Sequence, residues 1–271
     1  MIEDWDDAYA NGTHIESAAD YPPKWARQAE QFRQQMTQKG LAELDIAYGD
    51  SERQKLDLFR PENAPGGLLV FVHGGYWRAF DKSSWSHLAT AAIERGWAVA
   101  MPSYDLVPAV SISEITRQVG VAISKAASLV PGPIRLAGHS AGGHLVTRMI
   151  CADSPLTPLV ANRIDRVISI SGLHDMRPLL KTKMNDDFQM TAAQAVAESV
   201  ALKQPQGDAE LLCWVGANER PEFIRQAALL ANIWTGFGLN TSLHLAQDQH
   251  HFDVIDGLSD PHSALARALL D

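Results

Sequence analysis

Residues 134–151 read Ile-Arg-Leu-Ala-Gly-His-Ser-Ala-Gly-Gly-His-Leu-Val-Thr-Arg-Met-Ile-Cys. The apolar run Ile134 to Ala137 predicts a strand and His144 to Cys151 a helix, and between them stands a G-x-S-x-G turn with Ser140 at its centre. A strand that bends straight into a helix crowds the residues two before and two after the bend, so only small side chains fit there. Gly138 and Gly142 meet that need. The turn would hold the Ser140 hydroxyl exposed at the carboxyl end of the strand, where the N-terminus of the following helix favours developing negative charge. In a loop the same five letters would mean little; the strand before and the helix after carry the reading.

Upstream, the continuous apolar run Leu68 to Val72 leads directly into His73-Gly74-Gly75-Tyr76-Trp77. A serine that attacks a carbonyl needs backbone N–H groups to hold the resulting oxyanion, and adjacent glycines leave those groups unobstructed. Ala141, the residue after the nucleophile, is expected to supply one donor and the Gly74/Gly75 turn another. The plainer alternative for these glycines is a tight strand-to-helix turn.

A serine hydroxyl also needs a base, and the base a third group to orient it. With this elbow the acid is expected after a late strand and the histidine after the last one. Leu211 to Val215 runs into Glu219, and Ser242 to Ala246 runs into His250-His251-Phe252. The reading is therefore Ser140 as nucleophile, Glu219 as orienting carboxylate and His251 as base. His250 is the direct rival for the base; Asp175 is the rival acid, while Asp248 and Asp253 fall on the wrong side of the last strand. His73 and His139 read as braces of their loops.

These motifs resemble the kynurenine formamidase (arylformamidase) group of α/β-hydrolases. The resemblance is carried in order by His-Gly-Gly-Tyr-Trp at 73–77, Gly-His-Ser-Ala-Gly-Gly-His-Leu at 138–145 and Ser-Gly-Leu-His-Asp-Met-Arg-Pro-Leu at 171–179. Pro-Glu-Phe-Ile-Arg-Gln at 221–226 and His-His-Phe at 250–252 complete it. It implies that the histidine directly before the phenylalanine, His251, is the catalytic one. It also places the acid two residues before Pro-Glu-Phe, where this chain has Glu219 in place of the more usual aspartate. The implied substrate is an N-formyl arylamide such as N-formylkynurenine, cleaved to formate and the free amine. Tyr76, Trp77 and Phe80 are expected to form an aromatic wall for it, with core packing as the alternative for each. The same machinery would serve a broad-specificity carboxylesterase, and the fold alone also occurs in non-catalytic binding proteins.

The remaining chain supports an α/β class. Strands are expected at Leu41 to Tyr48, Lys55 to Phe59, Trp97 to Pro102 and Val167 to Ile170, with helices near Ser83 to Arg95, Ile112 to Leu129 and Ala192 to Leu202. This alternation predicts one α/β-hydrolase domain over 1–271, a mostly parallel sheet with helices on both faces. A helical arm is expected within 1–40 and a small cap insertion over the site at 176–208. The chain has 271 residues, 46% hydrophobic and 20% charged, and a net charge of −9 without a Lys/Arg cluster. That balance argues against nucleic acid or an anionic membrane as partner and suits a small-molecule ester or amide; a homodimer is compatible with it. The acidic start Met1 to Asp7 lacks the regions of a signal peptide, so a cytoplasmic location is expected. Cys151 and Cys213 read as reduced packing residues. His139 and His144 are five apart, not the four that would share a helix face, and no cysteine pair has zinc spacing, so neither metal nor cofactor is expected.

Overall fold

The computed structural model describes residues 2–271. Eight strands form one sheet: β1 Ala42–Ala47, β2 Lys55–Phe59, β3 Leu68–Val72, β4 Ala98–Pro102, β5 Ile134–His139, β6 Ile164–Ile170, β7 Glu210–Gly216 and β8 Thr241–Ala246. Their order is β1-β2-β4-β3-β5-β6-β7-β8. β2 pairs antiparallel with β1 and β4, and every pairing from β4 through β3 to β8 is parallel.

The apolar run of β3 shows why the central strands lack alternation. Leu68, Val70 and Val72 point into one core and Leu69 and Phe71 into the other, all five buried. A strand covered on both faces has no solvent side to mark with polar residues. The first core is closed by the helices Ile112–Leu129, Ala141–Arg148 and Pro221–Thr235, the second by Tyr21–Gln38 and Ala264–Leu270. This is the mostly parallel, doubly covered sheet expected from the sequence. Among the described residues no helix is long and apolar enough to cross a membrane.

The expected helix over Ser83 to Arg95 is corrected. The segment forms two 3-10 turns, Lys82–Ser84 and Ser86–Ala89, before a short helix at Thr90–Glu94. Tertiary anchors outweigh helical spacing here: the Lys82 ammonium meets buried Asp57 at 2.7 Å. The Trp85 ring packs 4.7 Å from Trp25 and 5.5 Å from Phe80, centroid to centroid.

β3 lies where the chain reverses its direction of travel across the sheet, first outward to β4 and then back to β5. Ligands of open parallel sheets bind at the carboxyl ends of the strands flanking such a point. Gly74 and Gly75 follow β3 and Ser140 follows β5, so the strand order alone makes the two motifs neighbours.

Candidate active site

Ser140 follows β5 with φ 55° and ψ −116°, a positive-φ conformation that costs a non-glycine residue about 1–3 kcal/mol and persists only where its surroundings enforce it. Its N–H donates to Ile170 O at 2.8 Å. The spacing of the glycines has the physical cause read from the sequence. A Cβ on Gly138 would lie 2.2 Å from Gly142 O, and one on Gly142 only 1.9 Å from Val72 O. Gly74 packs against the same turn, since its Cβ would approach Ser140 Cβ to 3.0 Å.

The turn after β3 is similarly forced. Gly75, Tyr76 and Trp77 all have positive φ, of 108°, 50° and 56°. Both Arg78 N and Ala79 N donate to Gly75 O at 3.0 Å, which locks the reversal. Among the described residues no acceptor takes the N–H groups of Gly74, Gly75 or Ala141. Of the three, Gly75 lines the cavity, and Ala141 directly follows Ser140, which lines it too.

The loops after β7 and β8 are tied together by Ala217 N to Ala246 O at 2.8 Å and Asn218 N to Gln249 O at 2.9 Å. They carry Glu219 and His251, whose Oε2 and Nδ1 are 2.7 Å apart with both side chains buried. The other carboxylate oxygen of Glu219 accepts from Gly216 N at 2.9 Å and from the Ser171 hydroxyl. Both oxygens of this buried carboxylate are thus engaged by donors. No hydrogen bond joins Ser140 to His251, although both line the same cavity; the contact between nucleophile and base commonly tightens only in the complex with substrate.

His139 supports the arrangement from below. Its Nε2 donates to His251 O at 2.9 Å, and its ring lies 4.6 Å from that of His251. Burial, followed by the charge of His251, holds its pKa well below the usual imidazole value, so it stays neutral. His73 accepts the same bracing role through Nδ1 to Gly74 O at 2.7 Å, and burial pushes it down to about 4.

The rival residues are occupied elsewhere. His250 bonds Tyr21 Oη through Nε2 at 3.1 Å and takes the Phe252 N–H on Nδ1 at 3.1 Å. Asp175 is held by Arg177 at 2.8 and 3.0 Å, Asp253 takes the His250 N–H at 2.7 Å, and Asp248 is exposed.

The cavity encloses about 410 Å³. Tyr76 and Phe80 belong to its wall as expected, but Trp77 does not. Trp77 is fully buried beneath the turn, edge-on to His144 and Phe188 at 5.3 and 5.8 Å. Its large apolar ring is better covered by the core than by a half-open pocket. The segment 176–208 contributes Met184 to the wall. Most of the roof comes instead from the N-terminal arm, through Tyr9, Asn11, Gly12, Pro22 and Trp25. The arm is bolted down by Tyr9 Oη donating to Glu222 at 2.8 Å, by Tyr76 Oη donating to Tyr9 O at 2.6 Å and by the Asp7–Arg220 ion pair. Sequence reasoning missed Ser171 and this roof. A second cavity of about 440 Å³, beside Ile164 and Ala209, holds none of these residues. Among the described residues no three metal-ligating side chains converge.

The family model BD-FAE matches residues 56–228, more than half of the 271-residue chain. The chain belongs to the BD-FAE family. This BD-FAE protein is a kynurenine formamidase-like α/β-hydrolase. It is 29% identical to a kynurenine formamidase of Danio rerio over 84% of its own length and 80% of that protein's. It is 52% identical to a Silicibacter protein provisionally described as a thioesterase, with a TM-score of 0.95 and 99% of each chain covered. Esterase B of Lactobacillus rhamnosis, at 16% identity and a TM-score of 0.67 over 93% and 92% of the two chains, shares the fold.

Proposed function

We propose that this hydrolase is a serine-dependent arylformamidase that cleaves an N-formyl arylamide such as N-formylkynurenine through an acyl-enzyme. His251 takes the Ser140 proton as Oγ attacks the formyl carbon, and the oxyanion is received by the free N–H groups of Ala141 and the Gly74/Gly75 turn. Glu219 keeps the proton of the neutral imidazole on Nδ1 and stabilises the imidazolium that forms. The imidazolium then protonates the departing aryl nitrogen, and the amine leaves. Water, deprotonated by His251, attacks the formyl ester; formate departs and Ser140 regains its proton. Preorganised donors of this type are worth about 10²–10³ in rate each.

The observation that carries the reading is the buried His251–Glu219 pair, 2.7 Å apart, whose histidine lines one cavity with a strained Ser140. Similarity to kynurenine formamidases supports the formyl substrate. A Cβ on Gly75 would meet Ala79 O at 2.5 Å and the Phe80 ring at 2.8 Å, so the oxyanion turn itself admits only glycine there. The relative described as a thioesterase favours a second reading, a carboxylesterase or thioesterase of short acyl groups. Parallel kcat/KM measurements on N-formylkynurenine and p-nitrophenyl acetate, with Ser140→Ala as control, separate the two. The formamide should be preferred; preference for the ester would assign the protein to the esterases, and turnover of neither would leave a binding role.

A further inference from the structure

The cavity wall is largely aromatic, yet several of its polar atoms have no partner in the protein. Asn11 is 6% exposed and its Nδ2 is buried without a hydrogen bond. The indole Nε1 atoms of Trp25 and Trp85, both in the same wall, are buried and unpartnered as well. The other polar groups of the roof are spent: Tyr9 Oη on Glu222, Tyr76 Oη on Tyr9 O, and Arg78 on Asp187. His139 Nδ1 is a bare acceptor on the floor against Gly74, and the Asp6 carboxylate at the rim takes only the Lys183 N–H.

Buried donors without acceptors are rare in folded proteins, and in a cavity they mark where a ligand supplies what the protein lacks. The two indoles can only donate, and neither edge of the Asn11 amide carries a hydrogen bond within the protein. The Asn11 amide torsion is soft, so its NH₂ edge turns to the cavity at little cost. A formyl group occupies almost none of the 410 Å³, so the roof must receive the leaving group rather than the acyl group. We propose that Asn11 is a specificity-determining residue, which selects aromatic leaving groups bearing a neutral hydrogen-bond acceptor, a ring-attached ketone, by donating to that acceptor. The inference rests on the hydrolase reading above in placing the leaving group under the arm.

The test uses the full chain and two substrate series: formanilide with its 2-, 3- and 4-acetyl derivatives, and phenyl acetate with the corresponding acetylphenyl acetates. The readout is the ratio of kcat/KM for each acetyl compound to its parent, compared between wild type and variant so that the electronic effect of the substituent cancels. Asn11→Ala should lower that ratio about 10- to 100-fold for at least one isomer, as expected when a site built to bond a polar group loses its partner. Asn11→Asp keeps the volume and replaces the donor by an acceptor, so it should lower the ratio too and serves where the alanine variant folds poorly. A parallel fall for parent and derivative would make Asn11 a structural residue and overturn the proposal. An unchanged ratio in every isomer would overturn it equally. If wild type cleaves the acetates but no formanilide, the formamidase reading fails while the acetate ratios still decide the role of Asn11.

Discussion

Replacing Glu219 by glutamine changes one carboxylate oxygen to NH₂ with almost no change of shape, and the structure dictates which way the amide must face. Oε1 accepts from Gly216 N and from the Ser171 hydroxyl, while Oε2 accepts from His251 Nδ1. An NH₂ placed at Oε1 would confront a backbone N–H that cannot turn away. It must therefore face His251, donate to Nδ1 and drive the imidazole proton to Nε2. That tautomer has no lone pair toward Ser140 and cannot act as base. Loss of the imidazolium's countercharge compounds the effect. In a serine protease triad the equivalent carboxylate-to-amide change costs about 10⁴ in kcat, or about 5 kcal/mol of transition-state stabilisation. Glu219→Gln should show a loss of that order in steady-state kcat on the preferred substrate, with KM little changed and the far-ultraviolet circular dichroism retained. Activity within tenfold of wild type would refute the orientation argument and remove Glu219 from the catalytic set.

Three further outcomes follow from the same geometry. His251→Ala should approach the loss caused by Ser140→Ala, and the double variant should lose little more because the residues act as a unit; His250→Ala, which breaks contacts to Tyr21 and Asp253, should cost far less, and the reverse order would move the base to His250. Acid should unfold the protein: burial pushes His73 and His144 down to about 4 and His174 to about 3. Because these folded values lie below the unfolded one, full stability is present above about pH 6.5 and is lost as pH falls toward 4, at about 3 kcal/mol for each group lowered to 4. A melting temperature that stays flat from pH 7 to 4.5 would contradict that linkage. On one constant arylamine, kcat/KM should fall about 10- to 200-fold for each added methylene from formyl through acetyl to butyryl; equal rates would favour an open acyl pocket.

The sequence carried the sheet because β3 and β5 to β7 are short apolar runs bounded by turn residues, a pattern set by local burial. The elbow was legible for the same reason: Gly138 and Gly142 are required by neighbours only a few residues away or by the adjoining strand. What escaped was set at long range. Tyr9 reaches Glu222 and Asp7 reaches Arg220, each across 213 residues, and nothing periodic in residues 4–20 announces that this arm roofs the cavity. Ser171 gave no signal because its role depends on β6 and β7 being neighbours. For Tyr76 and Trp77 the sequence leaves wall and core packing both open, and the left-handed turn sends Tyr76 to the wall and Trp77 to the core. Helical spacing over 83–95 was overridden by the Lys82 and Trp85 anchors.

The central claim is that Ser140 is the nucleophile, and covalent trapping tests it most directly. Titration of the wild-type protein with a fluorophosphonate, followed by intact-mass analysis and peptide mapping, should give one adduct per chain on Ser140 in step with the loss of hydrolysis. Ser140→Ala should be neither labelled nor active. A fully labelled serine elsewhere, or unlabelled protein that retains turnover, would contradict the account.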